Sequence, residues 1–144
     1  MQIRRITDDF SVSPQIAVGD LPELRDRGFA LVISNRPDGE DPGQPAAGVI
    51  AAASAAAGLA FRHIPVAGGF PEAQIAEMAD AISAAEGPVL AFCRTGTRST
   101  LLWSLAQASD GGAPEAIAAA ARDAGYDIAP VRDVVDLLAS RPGG

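Results

Sequence analysis

A single cysteine stands in a segment whose residue types suit nucleophilic chemistry. Cys93 is the only cysteine among the 144 residues, and it lies in the segment 92–99, FCRTGTRS, directly after the apolar run 89–92. A glycine-containing turn between a strand and a helix gathers backbone N–H groups into an anion-binding nest, and the helix N-terminus adds partial positive charge. Arg94 and Arg98 add two full charges. All of these favour the thiolate, which is the reactive form of cysteine. We therefore predict that Cys93 is the nucleophile of an enzyme.

The remaining residues of this loop are predicted to hold an oxyanion. We expect Arg98 to turn inward and grip the anion with its planar guanidinium, which matches the geometry of phosphate or of a sulfur oxyanion. Gly96 is predicted to take a backbone conformation closed to other residues. Ser99 and Thr97 either donate hydroxyl hydrogen bonds to the thiolate and its anion or cap the helix that follows, and we favour the first role for Ser99. The predicted substrate-binding residues of the loop are Arg94, Thr95, Gly96 and Thr97. For Arg94, the alternative is an ordinary surface arginine.

Strands and helices alternate along the chain, which predicts an α/β fold with a mostly parallel sheet covered by helices on both faces. The predicted strands are 9–13 (at an edge of the sheet), 29–34, 59–66 and 89–92, and the predicted helices are 20–27, 48–57, 72–85, 98–108, 114–124 and 131–140. In such sheets, ligands bind at the carboxyl ends of the strands. We therefore expect the loops 35–45 and 67–71 to meet the Cys93 loop at one site, within a single domain that spans residues 1–144.

The composition limits the classes of function. The formal net charge of −7 argues against general nucleic-acid binding, which requires a basic surface. All eleven basic residues are arginine, so no lysine is present to form a Schiff base. One cysteine cannot form an intramolecular disulfide, and one cysteine with one histidine argues against a zinc site. The first residues lack the apolar core of a signal peptide, and the alanine-rich run 49–60 is too short to span a bilayer. We expect a cytoplasmic protein with no membrane or nucleic-acid partner and no metal or organic cofactor.

Four parts of the sequence together resemble a known bacterial family. They are 10–15 (FSVSPQ), 35–40 (NRPDGE) with 44–45 (QP), 57–59 (AGL) with 63–66 (HIPV), and 93–99. Over residues 8–105 the sequence is similar to the phosphatase-like domain of the beta-lactamase hydrolase-like proteins, the DUF442 type. That family is related to the tyrosine and dual-specificity phosphatases. The C-terminal helices, 114–140, carry no motif that resembles the family.

The resemblance implies a phosphatase-like fold with Cys93 as nucleophile and Arg98 as anion clamp. It also implies a small anionic substrate, and a metallo-beta-lactamase-type enzyme of persulfide oxidation as a partner or fusion. Two departures from the mainstream phosphatases of this superfamily matter. Only four residues separate Cys93 from Arg98 where those phosphatases have five, and the shorter spacing is similar to that of rhodaneses. Phe92 stands where those phosphatases usually carry a histidine.

The general acid is the catalytic group that the sequence supplies least clearly. Cleavage of a phosphate ester through a cysteinyl-phosphate needs a proton for the leaving alkoxide, normally from an aspartate, and its loss costs about 10²–10⁴ in rate. The loop 67–71 contains no aspartate. The candidates are therefore Glu72, Asp38 and Glu40. Glu72 could instead stabilise a helix N-terminus, and the other two could hold Arg36 or cap their loop. Arg36 is itself a predicted substrate-binding residue.

Two mechanisms fit the same nucleophile. A phosphatase-like hydrolase would form a cysteinyl-phosphate on Cys93. A rhodanese-like sulfurtransferase would carry a persulfide on Cys93, with thiosulfate or a persulfide as substrate, and needs no acid because its leaving group departs as a stable anion. A non-catalytic module that binds an oxyanion is a third interpretation. We predict the phosphatase-like hydrolase, with the sulfurtransferase as the close alternative.

Overall fold

Five short strands form one sheet. They are β1 (Arg4–Thr7), β2 (Phe10–Ser13), β3 (Leu31–Ser34), β4 (Ala60–His63) and β5 (Val89–Phe92). In the computed structural model, which describes residues 1–141, they lie in the order β1-β2-β5-β3-β4. β1 is antiparallel to β2, and the other neighbouring pairs are parallel. The prediction of a mostly parallel sheet is confirmed.

The strand at the edge of the sheet differs from the prediction. The sequence predicts an edge strand over 9–13, but β2 lies between β1 and β5, so this prediction is wrong. β1 reads RRIT, and only Ile6 of its four residues is buried. It therefore lacks the repeated apolar and polar alternation by which strands are predicted. Its backbone hydrogen bonds to β2, rather than the pattern of its side chains, make it a strand.

The described residues form six α-helices, in the order and places predicted. They are α1 (Leu21–Asp26), α2 (Ala47–Ala56), α3 (Glu72–Ala84), α4 (Thr97–Ser109), α5 (Pro114–Asp123) and α6 (Arg132–Ala139). Short 3₁₀ turns, Val18–Asp20 and Ala129–Val131, precede α1 and α6. Within residues 1–141, none of the helices has the length and apolar character needed to cross a membrane.

Alternate residues of the sheet face two separate cores. In β5, Val89 and Ala91 point to one side of the sheet, and Leu90 and Phe92 point to the other. Residues of α3, α4, α5 and α6 cover the first side, and residues of α1 and α2 cover the second. Burial on both faces explains why β5 reads as a continuous apolar run, as central strands of parallel sheets do. This packing fixes the carboxyl end of β5, which Cys93 directly follows.

Candidate active site

The sulfur of Cys93 lies at the N-terminus of a long helix. Cys93 follows β5 and is fully buried. The backbone N–H of Gly96 donates a hydrogen bond to its Sγ over 3.0 Å, and α4 begins at the next residue, Thr97. An N–H donor and the positive end of a helix both stabilise a thiolate relative to a thiol.

Glycine is required at position 96 for two reasons. Its φ is +92°, in the left-handed region that other residues rarely adopt. A Cβ at this position would also overlap the hydroxyl group of Tyr126. That hydroxyl donates to the carbonyl of Thr95 over 3.2 Å. Tyr126, which follows α5, therefore packs directly against the Cys93 loop and restricts its backbone.

The hydroxyl groups in the first turns of α4 are used differently. The hydroxyls of Thr100 and Ser104 donate to the backbone carbonyls four residues earlier, each over 2.9 Å. Ser99 is equally buried, and its Oγ has no hydrogen-bond partner among residues 1–141. A buried hydroxyl without a partner costs about 1–3 kcal/mol. Ser99 Oγ therefore does not donate to Cys93 Sγ in this structure, and the predicted role of Ser99 as a donor to the thiolate or to a bound anion stays a prediction.

Arg98 is held by groups from two other loops. Its Nη1 donates to Glu40 Oε2 over 2.7 Å and to the carbonyl of Val66 over 3.0 Å, and its Nη2 donates to Glu40 Oε1 over 2.8 Å. A guanidinium carries five N–H groups in one plane. Three are used in this way, and the Nε–H and one N–H of Nη2, side by side on one edge of the guanidinium, donate to no oxygen of residues 1–141. Such an edge is the fork that binds two oxygens of an oxyanion. Glu40, and to a smaller extent the nearby Cys93, raise the pKa of Arg98.

Glu40 is ionised near neutral pH. The hydrogen bond from Arg98, helped by one from Arg36, outweighs partial desolvation and lowers the pKa of the Glu40 carboxyl to about 2. A carboxyl group with this pKa carries no proton to donate near neutrality. The geometry of Glu40 therefore suits the positioning of Arg98 and does not suit the alternative role of general acid.

Arg36 joins the site through Glu40. The Arg36 side chain is only 4 % exposed. Its Nε donates to Glu40 Oε1 over 2.9 Å, its Nη2 to Asp41 Oδ2 over 2.5 Å, and its Nη1 to Gln15 Oε1 over 3.0 Å. His63 Nε2 lies 2.9 Å from the backbone carbonyl of Arg36, to which it can donate. The sequence predicts substrate binding by Arg36, yet each of its guanidinium nitrogens already donates to a protein oxygen.

The two carboxylates that the sequence proposes first as acids are engaged elsewhere. Asp38 Oδ1 accepts the backbone N–H of Ala47, the first residue of α2, over 2.8 Å. Glu72 Oε1 accepts a hydrogen bond from Arg141 over 2.8 Å, beside the C-terminal end of α4. Among residues 1–141, neither forms a hydrogen bond with the loop 93–99. The structure thus brings Glu40 to the site, and within residues 1–141 the hydrogen bonds of Asp38 and Glu72 go to groups outside the loop.

The outer side of the Cys93 loop is exposed to solvent. Arg94 Nε lies 3.9 Å from Asp41 Oδ2, and the hydroxyl of Thr95 donates to that of Thr97 over 3.1 Å. Substrate binding by these residues stays a prediction. Sequence reasoning assigns no role at the site to Asp41, Gln15 or Tyr126. Asp41 lies in the acidic loop 35–45 and Gln15 in the segment 10–15 that resembles the family, whereas Tyr126 carries no signal. In the described part of the chain, no cluster of three His, Cys, Asp or Glu residues is able to hold a metal ion.

Comparison with known sequences points to one family. The family model described as Beta-lactamase hydrolase-like protein, phosphatase-like domain, matches residues 2–110. A Beta-lactamase hydrolase-like protein of Agrobacterium fabrum is 40% identical over 112 residues, which make up 77% of this chain and 26% of that protein. The chain therefore spans about a quarter of the length of the curated relatives it matches. These relatives give no support to a separate partner enzyme.

Solved structures share the fold over nearly the whole chain. A candidate phosphatase from Neisseria meningitidis is 33% identical and superposes with a TM-score of 0.82, covering 96% of this chain and 99% of that one. A candidate phosphatase of the DUF442 type from Shewanella putrefaciens is 18% identical, with a TM-score of 0.74 over 99% of this chain and 93% of that one. Because the second structure is only 18% identical, its similarity supports the fold of this chain and says nothing about the function.

Proposed function

The chain belongs to the family of the beta-lactamase hydrolase-like protein, phosphatase-like domain, and we propose that it is a cysteine-dependent phosphatase acting on small phosphate monoesters. One observation carries the proposal. The buried sulfur of Cys93 accepts the N–H of Gly96, while Arg98, fixed by Glu40, keeps a fork of two N–H groups that donate to no oxygen in the described part of the chain. A nucleophile and a preorganised oxyanion clamp thus stand in one loop.

In the proposed reaction, Cys93 acts as a nucleophile in two steps. The thiolate attacks phosphorus, and a P–S bond forms while the bond from phosphorus to the leaving oxygen breaks. The leaving oxygen departs with the bonding electrons and takes a proton from water. A water molecule then attacks the same phosphorus, the P–S bond breaks, and inorganic phosphate and the Cys93 thiolate are released.

The loop stabilises charge in both steps. In phosphoryl transfer, negative charge spreads over the three equatorial oxygens, so catalysis depends mainly on positioning and electrostatics. The free fork of Arg98 and the start of α4 face this charge in the proposed complex. The Gly96 N–H stabilises the thiolate, which is the leaving group of the second step. The Ser99 hydroxyl, which has no partner among residues 1–141, is available as a further donor.

The proposal favours substrates whose leaving group needs little help from an acid. Glu40 is ionised, and the carboxylates of Asp38 and Glu72 each hold another group of the protein. Without a general acid, a leaving group that must be protonated departs about 10²–10⁴ times more slowly. Aryl phosphates release a phenolate, which leaves more readily than an alkoxide. They are therefore the substrates we expect the enzyme to prefer.

Sulfur transfer is the second candidate function, and the same engagement of the carboxylates favours it. The Cys93 thiolate would attack the outer sulfur of thiosulfate, the S–S bond would break, and sulfite would leave with the bonding electrons. The persulfide on Cys93 would then pass its outer sulfur to cyanide, which yields thiocyanate and restores the thiolate. No proton is needed in either step, and the spacing of Cys93 to Arg98 is similar to that of rhodaneses.

Two assays on the wild-type protein separate these functions. We expect release of 4-nitrophenolate from 4-nitrophenyl phosphate, and no formation of thiocyanate from thiosulfate and cyanide. Thiocyanate formation without phosphate release would replace the phosphatase with the sulfurtransferase. If neither reaction occurs while calorimetry still detects binding of inorganic phosphate, the third interpretation, a module that only binds oxyanions, would stand instead.

Glu40→Gln is expected to lower kcat/KM for 4-nitrophenyl phosphate about 10–100-fold, which corresponds to losing hydrogen bonds to a charged partner. The amide keeps the size of the side chain, but its NH₂ group faces a guanidinium N–H where a carboxylate oxygen accepted before. The fork of Arg98 therefore loses its fixed orientation. Steady-state kinetics near neutral pH measures the effect.

The matched control is Glu23→Gln, which removes the carboxylate of an exposed ion pair with Arg27. Exposed pairs contribute little, so this variant should resemble the wild type. Stability supplies a second readout. Because the folded pKa of Glu40 is about 2 and its ordinary value is 4.5, its stabilising effect is complete above pH 4.5 and is lost as the pH falls toward 2. The gap in unfolding temperature between Glu40→Gln and the wild type should shrink over that range. Equal kinetics for the Glu40 and Glu23 variants would contradict the positioning role.

A further inference from the structure

Tyr126 contacts the Cys93 loop from a part of the chain that lies beyond residues 2–110, which the family model matches. Its hydroxyl donates to the carbonyl oxygen of Thr95 over 3.2 Å and fills the space where a Cβ on Gly96 would lie. Gly96 in turn donates its backbone N–H to the sulfur of Cys93 over 3.0 Å. Both hydrogen bonds therefore involve the same peptide group, the one that joins Thr95 to Gly96.

This peptide group links Tyr126 to the nucleophile. A peptide group is planar, and in its trans form, which is found here, the carbonyl oxygen and the N–H point in opposite directions. A hydroxyl that holds the oxygen of Thr95 therefore also fixes the direction of the Gly96 N–H. Accepting a hydrogen bond at the oxygen polarises the group, so the two hydrogen bonds strengthen each other. Tyr126 thus makes the Gly96 N–H a better aligned and stronger donor to the sulfur of Cys93.

The end of helix α5 sets the position of Tyr126. Gly125 has a φ of +97°, and the N–H groups of Gly125 and Tyr126 donate to the carbonyls of Arg122 and Ala121, each over 2.9 Å. This is the hydrogen-bond pattern of a Schellman motif, in which a left-handed glycine ends the helix and fixes the residue that follows it. The backbone of Tyr126 is therefore held before its side chain reaches the loop.

Arg4, from β1, holds the ring of Tyr126. Its guanidinium lies over the ring, 5.7 Å from the centre, and donates to the carbonyl of Ala124 over 3.0 Å. Burial raises the pKa of the Tyr126 phenol, the charge of Arg4 opposes this shift, and the charge of Cys93 adds to it. A phenol with a pKa above its ordinary value of about 10 carries its proton near neutral pH. Tyr126 is therefore a hydrogen-bond donor under the conditions in which a thiolate is needed.

We propose that Tyr126 is a positioning residue for the nucleophile, because its hydroxyl aims the Gly96 N–H at the sulfur of Cys93. The inference deepens the proposed function and rests on it through the nucleophile that Tyr126 serves. The aimed N–H increases the fraction of thiolate available for the first step, and it stabilises the same thiolate when the thiolate leaves in the second step. The C-terminal part of the chain thereby contributes to the chemistry of the Cys93 loop.

Tyr126→Phe tests this role, because it removes the hydroxyl and keeps the ring. Cys93 is the only cysteine of the chain, so the ultraviolet absorbance of its thiolate, measured against the same protein with Cys93→Ser, follows its ionisation alone. The charged residues of the loop, Arg94 and Arg98, are unchanged. We expect the equilibrium in Tyr126→Phe to shift about threefold toward the thiol, which is within the range for one hydrogen bond. The acidic limb of the pH profile of kcat/KM for 4-nitrophenyl phosphate should move to higher pH by the same factor.

The matched control is Ser104→Ala. The Ser104 hydroxyl also donates to a backbone carbonyl, that of Thr100, over 2.9 Å, and it lies in the helix that follows the loop, α4. Each variant loses one such bond, so a merely structural role would lower both unfolding temperatures and leave the thiolate titration alone. The titration should change in Tyr126→Phe and stay as in the wild type in Ser104→Ala. An unchanged titration in Tyr126→Phe, or an equal change in the two variants, would overturn the positioning role.

A second measurement needs no substitution at Tyr126, which is the only tyrosine of the chain. Its phenolate absorbance is followed against pH in the wild type and in Cys93→Ser. Because the charge of Cys93 raises the pKa of Tyr126, the phenolate should form at lower pH in Cys93→Ser. The charged side chains beside the ring, which are Arg4, Arg122, Asp127 and Arg132, are the same in both proteins. Coupling between two sites is reciprocal, so identical titrations would contradict a link from Tyr126 to the nucleophile.

Turnover is scored separately from these titrations. A changed thiolate titration in Tyr126→Phe without hydrolysis of 4-nitrophenyl phosphate by the wild type would leave the positioning role standing and refute the phosphatase. Hydrolysis by the wild type with an unchanged titration in Tyr126→Phe would do the reverse.

Discussion

Cys93→Ser is expected to lower kcat/KM for 4-nitrophenyl phosphate at least about 10⁴-fold, because losing the nucleophile removes nearly all of the chemistry that the other residues support. The serine hydroxyl would still receive the N–H of Gly96. It does not ionise near neutral pH, however, and Glu40, the carboxylate nearest to the clamp, is bound to Arg98. Steady-state kinetics with both proteins at equal concentration measures the loss.

The variant should keep its fold and its ability to bind phosphate. A hydroxyl replaces a thiol of similar size at a fully buried position, so the unfolding temperature should stay close to that of the wild type. Rapid acid quenching during turnover should trap a phosphoryl group on the wild-type peptide that contains Cys93, and mass spectrometry should find none on the variant. Turnover comparable to the wild type in Cys93→Ser would move the nucleophile to another residue of the loop.

The part of the site that lies within one segment was accessible from sequence. The apolar run of β5, the glycine at position 96 and the hydroxyl-rich start of α4 each have a local signature. The rule that ligands bind at the carboxyl ends of parallel strands predicts that the loops 35–45 and 67–71 meet the Cys93 loop. The hydrogen bond of Arg98 to Glu40 joins the first of these loops to the Cys93 loop, and its bond to the carbonyl of Val66 joins the residue just before the second.

The sequence does not show which carboxylate of the loop 35–45 binds Arg98. Asp38, Glu40 and Asp41 are three acids within four positions of one loop, and composition does not rank them. The direction in which each side chain points decides which of the three contacts Arg98. Asp38 accepts an N–H at the start of α2, Asp41 pairs with Arg36, and only Glu40 reaches Arg98, which is 58 positions away. Tertiary contacts fix the backbone conformation of this loop and therefore the directions of its side chains. Local sequence propensities do not predict that conformation.

The arginine and carboxylate side chains of the site are paired with one another, which limits how strongly their charge attracts an anion. Arg36, Arg94 and Arg98 carry three positive charges, and Glu40 and Asp41, which pair with them, carry two negative charges. The group therefore keeps a single uncompensated positive charge before substrate arrives. One charge near solvent provides only modest attraction for an oxyanion. Binding must depend on directed donors, which are the free edge of Arg98 and the N–H groups of the loop.

Arg98→Lys tests that dependence, because it keeps the charge and removes the fork. We expect kcat/KM for 4-nitrophenyl phosphate to fall about 10³-fold, near the upper limit for losing one preorganised donor to a transition state. An ammonium group is a point charge with three rotating donors, so it cannot hold both oxygens of Glu40, the carbonyl of Val66 and two substrate oxygens together. Calorimetry should also show weaker binding of inorganic phosphate.

Arg27→Lys is the matched control for Arg98→Lys, since it makes the same change at a residue outside the Cys93 loop. The Arg27 side chain is 52% exposed, and it pairs with Glu23 over 2.6 Å. An exposed pair of this kind contributes little, so Arg27→Lys should keep nearly wild-type kinetics. If Arg98→Lys were as active as Arg27→Lys, positive charge alone would suffice at position 98. The fixed fork, and with it the role of Glu40 in orienting it, would then have to be abandoned.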